Sequence, residues 1–174
     1  MSMGKNMTNK AFLSPLNFKF QVKKLPTFVD YVQAFNFPGV TTGETSGFKN
    51  PFQTIVVPGE HMKFAKIRAT FKIDADLVNY REIFDWIEGL GKPTNFDQYA
   101  KIANNVPTNG LGPQVDGSII ILDSSLKPNI RFDFFDLYPT HLSGFKLDYT
   151  LEDVEYITAD VEFSYRQYTY TMLQ

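Results

Sequence analysis

The sequence predicts a mainly β fold, an antiparallel β-barrel or sandwich of roughly seven or eight strands with one flanking α-helix. Three observations predict it. Apolar and polar residues alternate with a period of two over most of the chain, apolar spacing shifts to three and four residues only once, and short turns alternate with two long connections rich in Gly, Asn and Pro. A parallel βαβ architecture would need a helix after nearly every strand.

The elements follow in order. Residues 1–14 are polar and non-periodic until Phe12 and Leu13, and are expected to form a flexible arm ahead of one domain spanning 15–174. Phe18, Phe20 and Val22 alternate with Lys19, Gln21 and Lys23, the period of a strand with one wet face. From Phe28 to Phe37 both parities are apolar, which predicts an inner strand. Pro38–Gly39 opens a long connection, and the breaks at Gly47, Pro51 and Pro58–Gly59 predict a loop over 41–60. Ile67, Ala69, Phe71 and Ile73 then alternate with Lys66, Arg68, Thr70 and Lys72, a strand with one apolar and one basic face.

Leu77, Tyr80, Ile83, Phe84 and Ile87 fall at helical spacing, so a helix is expected over about 76–88, capped by Asn79 with Glu82 or by Asp76, and ended by Gly89 and Pro93. Residues 94–117 read as a second long loop. Strands resume at Ser118–Asp123 and Ile130–Leu137 around a turn holding Pro128, and Phe145, Leu147 and Tyr149 alternate with Lys146 and Asp148. The clearest strand runs from Ile157 to Tyr165, after which the aromatic parity shifts to Tyr168 and Tyr170, the mark of a bulge or bend.

Composition limits the chemistry. With 174 residues, Phe 17, Tyr 9 and Trp 1, the chain has ample bulk for one core. Without cysteine, disulfides, iron–sulfur clusters and thiol nucleophiles are excluded. Lys+Arg 17 against Asp+Glu 19 provides no general attraction for a nucleic-acid backbone. No run reaches the roughly 18 apolar residues of a membrane span, and the first ten residues lack the apolar centre of a signal peptide, so a soluble, non-secreted chain without a membrane anchor is expected.

No catalytic pattern emerges. The two histidines, His61 and His141, lie far apart in sequence and in no metal or triad motif. Gly89-Leu90-Gly91-Lys92-Pro93 carries proline where a phosphate loop needs Ser or Thr, and Asn109-Gly110-Leu111-Gly112-Pro113 lacks the third glycine of a dinucleotide turn. Glu152, Asp153 and Glu155 read as a solvated connection. No catalytic, cofactor-binding or metal-ligating residue is assigned, and no enzymatic activity is expected. By elimination the residues point to a structural or interaction role, with a monomeric β-rich binding module, its ligand site in the 94–117 loop, as the other reading.

Two stretches carry a resemblance: Leu137-Tyr138-Pro139-Thr140 through Leu147-Asp148-Tyr149, then Val154 to Tyr165, in the order aromatic-Pro-Thr turn, strand ending in Asp-aromatic, and long final strand. Upstream stand a Phe-rich first strand, a Pro-Gly break after the second, and a helix holding Asp85-Trp86. In this order the chain resembles the tail tube proteins of contractile-tailed bacteriophages. The resemblance implies hexameric rings of this chain, stacked into a hollow tube within a contractile sheath, through which phage DNA is ejected into the host. The implied partners are further copies of the chain, tail sheath and baseplate proteins, and DNA passing without sequence-specific contact. The implied place is the virion tail, with assembly in the host cytoplasm. A tube initiator, a terminator or a secretion-type tube homologue shares the same features.

On this resemblance a lumen wall should be polar and acidic so as not to hold a polyanion, which selects Thr158, Asp160, Glu162 and Ser164 as lumen-lining. Thr41, Thr42, Glu44, Phe48, Phe52, Ile55 and Val57 are expected to make inter-subunit or inter-ring contacts, together with the arm 1–14. Asp85, Trp86, Tyr138, Pro139, Thr140, Leu147 and Asp148 carry the family pattern structurally.

Overall fold

Period-two alternation becomes antiparallel pairing throughout. The computed structural model describes residues 13, 16–50, 52–91, 96–97, 99–100, 113–150 and 156–173. Among them run β1 (Phe18–Val22), α1 (Pro26–Val29), β2 (Val32–Asn36), β3 (Val40–Asn50), β4 (Gln53–Phe64), β5 (Ile67–Lys72), α2 (Val78–Gly91), β6 (Val115–Leu122), β7 (Pro128–Leu142), β8 (Thr158–Ser164) and β9 (Gln167–Met172). The fold is mainly β with one main helix, as the sequence predicts.

Two sheets share one strand. The first half of β7 pairs with β6 and β9, and β6 with β1; the second half pairs with β8, which continues through β5 to β2. The parity shift after Tyr165 is the corner between the sheets. There β8 turns into β9 at Arg166 while β7 turns at Asp136, which takes a left-handed φ of 56°. The Arg166 amide donates to the Phe135 carbonyl (3.0 Å), Arg166 Nε lies 2.8 Å from Asp136 Oδ2, and the Asp136 amide donates to Asp116 Oδ1 (3.3 Å).

The inner faces meet in an aromatic core. Phe20 of β1 and Phe134 of β7 face Phe163 of β8 and Phe71 of β5, all fully buried or nearly so. Phe163 lies 6.0 Å from Phe20, 6.2 Å from Phe28 and 6.4 Å from Trp86 between ring centroids. The helix α2 closes one side with Ile83 and Trp86, and the Trp86 indole donates to the Pro113 carbonyl at 2.9 Å.

Several expectations are corrected. Phe28–Phe37 is not one strand: Pro26 fixes the first turn of α1, which drops Phe28 into the core before β2 begins. The expected loop over 41–60 is instead the β3–β4 hairpin, a separate two-stranded sheet. Asn79 does not cap α2; it is fully buried, accepts from the Asp74 amide (3.2 Å) and donates to the Lys72 carbonyl (2.8 Å), tying the helix to β5. Tyr138-Pro139-Thr140 is not a turn but lies within β7, with a register shift between Pro139 and His141 where the missing proline N–H is tolerated. Residues 145–149 form no strand, and 115–117 of the expected second loop belong to β6. The arm apart from Leu13, most of 94–112, and Glu152, Asp153 and Glu155 lie outside the described residues.

Buried polar atoms without a partner among the described residues include Lys24 Nζ and the Tyr165 hydroxyl. Burial, then the neighbouring Tyr168, pushes the Tyr165 hydroxyl up to about 12. The Lys24 ammonium sits 4.9 Å over the Trp86 ring, and burial pulls its pKa down to about 8.

Truncation of the central ring, Phe163→Ala, is expected to cost about 3–5 kcal/mol in denaturant unfolding, because it leaves a cavity bordered by Phe20, Phe28 and Trp86. For Lys24, the folded chain releases its proton near pH 8 and the unfolded chain near about 10.4. Between these values the unfolded state holds the extra proton, so stability rises with pH. Lys24→Met should therefore melt higher than the parent at pH 7, and that advantage should shrink as pH is raised through the window; an advantage independent of pH contradicts the assignment.

Candidate functional site

The outward row of β8 is the first region the sequence singles out. Ala159, Val161 and Phe163 point into the core, so Thr158, Asp160, Glu162 and Ser164 fall on the opposite face. The register of β5 against β8 sets Arg68 opposite Glu162, Thr70 opposite Asp160 and Lys72 opposite Thr158. The basic face of β5 and the acidic face of β8 are therefore one surface.

Charges on this surface are spent on each other. Glu162 accepts from the Arg68 guanidinium and stands 3.7 Å from Lys66 Nζ. The hydrogen bond from Arg68 is the main cause holding the Glu162 carboxyl below its ordinary range, and the positive charges of Arg68, Lys66 and His141 add to it. Arg68 is held correspondingly above its own. Asp160 Oδ1 accepts from Thr70 Oγ1 (2.5 Å), and the Asp160 amide donates to Ser143 Oγ (2.8 Å). Lys72 Nζ lies 3.9 Å over the Tyr156 ring. The face expected to be polar and acidic is thus a polar surface on which Glu162 is ion-paired with β5. Sequence reasoning found both strands and missed the pairing, since nothing local to either strand encodes register. His141 lies on β7 across from Glu162.

The second region is the β3–β4 hairpin. Its strands of 11 and 12 residues extend roughly 35 Å. Among the described residues they pair with no other strand. The base is clamped by the Ala65 amide donating to the Gly39 carbonyl (2.9 Å) and by Phe64 packing on Tyr165 and Tyr168 (5.9 and 5.5 Å). Thr41, Thr42, Glu44, Phe52, Val56 and Val57 are exposed, Phe52 at 94%. The side chains of Phe48 and Ile55 lie outside the described residues. Midway, where the register shifts between Thr42 and Glu44, Gly59 crosses so close to Gly43 that a Cβ at 59 would meet the Gly43 carbonyl oxygen at 2.5 Å.

The family-pattern residues divide. Trp86 and Pro139 are buried, Tyr138 and Asp148 are partly covered, and Asp85, Thr140 and Leu147 are exposed. His61 is exposed on β4, away from His141, and among the described residues no group of three His, Asp or Glu side chains converges to hold a metal. What the two regions can do is present surface: an ion-paired polar face on β5 and β8, and a long self-paired hairpin.

No protein-family model matches the chain, and no curated protein sequence matches it. Solved structures do. A chain of the PVC sheath–tube complex, an extracellular contractile injection system in the extended state, is 12% identical with a TM-score of 0.63 over 94% of both chains. A chain of the PVC sheath/tube terminator is 14% identical, TM-score 0.61, over 94% of this chain and 99% of the other. A chain of the anti-feeding prophage tube terminating cap is 10% identical, TM-score 0.61, over 97% and 96%. At these identities the likeness is one of fold, and it extends over nearly the whole chain.

Removing the acidic half of the wall should unmask the basic half. The double variant Asp160→Asn, Glu162→Gln is expected to retain DNA at 50 mM salt and release it by about 200 mM, while the parent retains none at either. Equal behaviour of parent and variant in a filter-binding titration contradicts the ion-paired wall.

Proposed function

We propose that this chain is a structural tube subunit of a contractile injection machine, whose copies close into hexameric rings that stack into a hollow inner tube. The observation that carries this reading is the β3–β4 hairpin. A roughly 35 Å arm that, among the described residues, joins no strand of the larger sheet and exposes Val56, Val57 and Met62 along β4 is a surface suited to contact with another molecule. The tube fold of the structural relatives supports further copies of this chain as that molecule.

On this reading the β5–β8 face lines the bore, with Thr158, Asp160, Glu162 and Ser164 on it. A wall on which Arg68 and Lys66 already face Glu162 has less free positive charge to hold a passing polyanion by counterion release, so DNA moves without being bound. The hairpin, including Thr41, Thr42, Glu44, Phe52 and Val57, reaches the neighbouring ring. The outer surface meets sheath and baseplate proteins, and the assembled tube lies in a phage tail built in the host cytoplasm.

A second reading, a tube terminator that stops at one ring, is favoured by the fold match to the PVC sheath/tube terminator and to the anti-feeding prophage cap. Polymer length separates the two. Light scattering with negative-stain electron microscopy over a concentration series should show stacked rings for the parent chain. Gly59→Val, which forces β3 and β4 apart at their crossing, should melt like the parent and fail to stack. Single rings at every concentration select the terminator, and a chain that stays monomeric throughout overturns both.

A further inference from the structure

The face built by β5 and β8 continues onto β7, where it carries an imidazole. Beyond the register shift after Pro139, His141 pairs with Glu162 and Leu142 with Val161. Val161 is buried in the core, so His141 stands outward beside the Glu162 side chain. Thr140 Oγ1 donates to the Glu162 carbonyl (3.3 Å), which fixes the two strands to each other at this point. On its far side this half of β7 meets no strand among the described residues, since pairing with β6 ends at Leu137 and pairing with β9 at Phe135. His141 is therefore exposed to solvent. The chain's other histidine, His61, sits apart on β4 of the hairpin.

Three basic groups converge on one carboxylate. Arg68 donates to Glu162, Lys66 Nζ stands 3.7 Å from it, and the charge of His141 also acts on it. Asp160, the next outward residue of β8, accepts from the Thr70 hydroxyl (2.5 Å), and Lys72 lies over the Tyr156 ring (3.9 Å). From α2 the Tyr80 hydroxyl reaches this end of β7 and donates to the Ser143 carbonyl (3.2 Å). The charges beyond are closed on each other, Arg166 on Asp136 (2.8 Å) and Lys146 on Asp148 (2.6 Å). Lys66, Arg68 and Lys72 thus stand against Asp160 and Glu162, one positive charge from balance. A proton on His141 doubles that excess.

We propose that His141 is a proton-operated switch on this face, which lets a polyanion pass while the imidazole is neutral and holds one when the imidazole is protonated. The imidazolium takes a share of the Glu162 carboxylate, so the donors of Arg68 and Lys66 become available to phosphate oxygens. One additional phosphate contact steepens the fall of log affinity with log salt by about 0.9, which is about tenfold in affinity at 50 mM salt. The inference concerns a surface of the single subunit and goes beyond the tube reading, since it holds whether or not rings form.

The test is binding of a labelled duplex oligonucleotide to the full chain, followed by fluorescence anisotropy at 50 mM salt and higher, at pH 6 and at pH 7.5. Side-chain carboxyls ionise at about 4 and stay charged at both values. The parent should bind about tenfold or more tightly at pH 6, with a salt slope steeper by about one. His141→Gln should bind weakly at both pH values and His141→Lys tightly at both, while His61→Gln should follow the parent. As His141 is exposed, its variants should keep the parent's melting temperature. The switch is overturned by a parent whose binding is the same at both pH values or absent at both, by a His141→Gln chain that gains as much in acid as the parent, or by a His61→Gln chain that loses the gain. None of these outcomes touches the tube reading, which assembly decides.

Discussion

The structure depends on one bend in one pair of strands. β7 is long enough to belong to two sheets, and β8–β9 follows it across the same corner. For L-residues a left-handed backbone is sterically costly, and asparagine and aspartate tolerate it best. Asp136 occupies that position, and its carboxylate is matched by Arg166 from the facing strand. Once the ribbon is folded there, the inner faces of the two sheets are opposed, and Phe20, Phe134 and Phe163 come together with Trp86 as the plug on one side.

The same bend decides what is left over. Folding one ribbon onto itself completes a core within a single chain, while among the described residues β1 and β2 meet through rings and not through backbone hydrogen bonds. Unpaired edges are a hazard for a monomer and a resource for a polymer. The hairpin stands outside both sheets, and among the described residues 144–149 after β7 join no strand. Interior and exterior therefore have separate tasks: aromatic packing makes the subunit, and backbone edges with a few exposed apolar side chains are available to join subunits.

How much of this was legible in the sequence follows from which forces are local. β5 and β8 were readable because each has one wholly apolar parity, which only a strand over a core requires. The corner was readable as a shift of aromatic parity at Tyr165. The hairpin was not: its sequence has no sustained apolar alternation, and Thr, Gly and Pro in that density read as loop. Phe28 misled because a single helical turn started by Pro26 interrupts what looks like continuous strand. Residues 145–149 misled in the opposite sense, having the pattern of a strand but no partner strand among the described residues. The ion-paired wall was beyond reach, since Arg68 and Glu162 are brought together by register between distant strands. The resemblance to tail tube proteins nonetheless anticipated the fold, because the order of elements survived these errors.

Amide hydrogen exchange, read on the monomer and on its assembled form, tests the central claim most directly. The account predicts that β5, β6, β7 and β8 are strongly protected in both states, while β3 and β4 gain protection only on assembly. Protection of the hairpin already complete in the monomer, or core strands protected only after assembly, would contradict it.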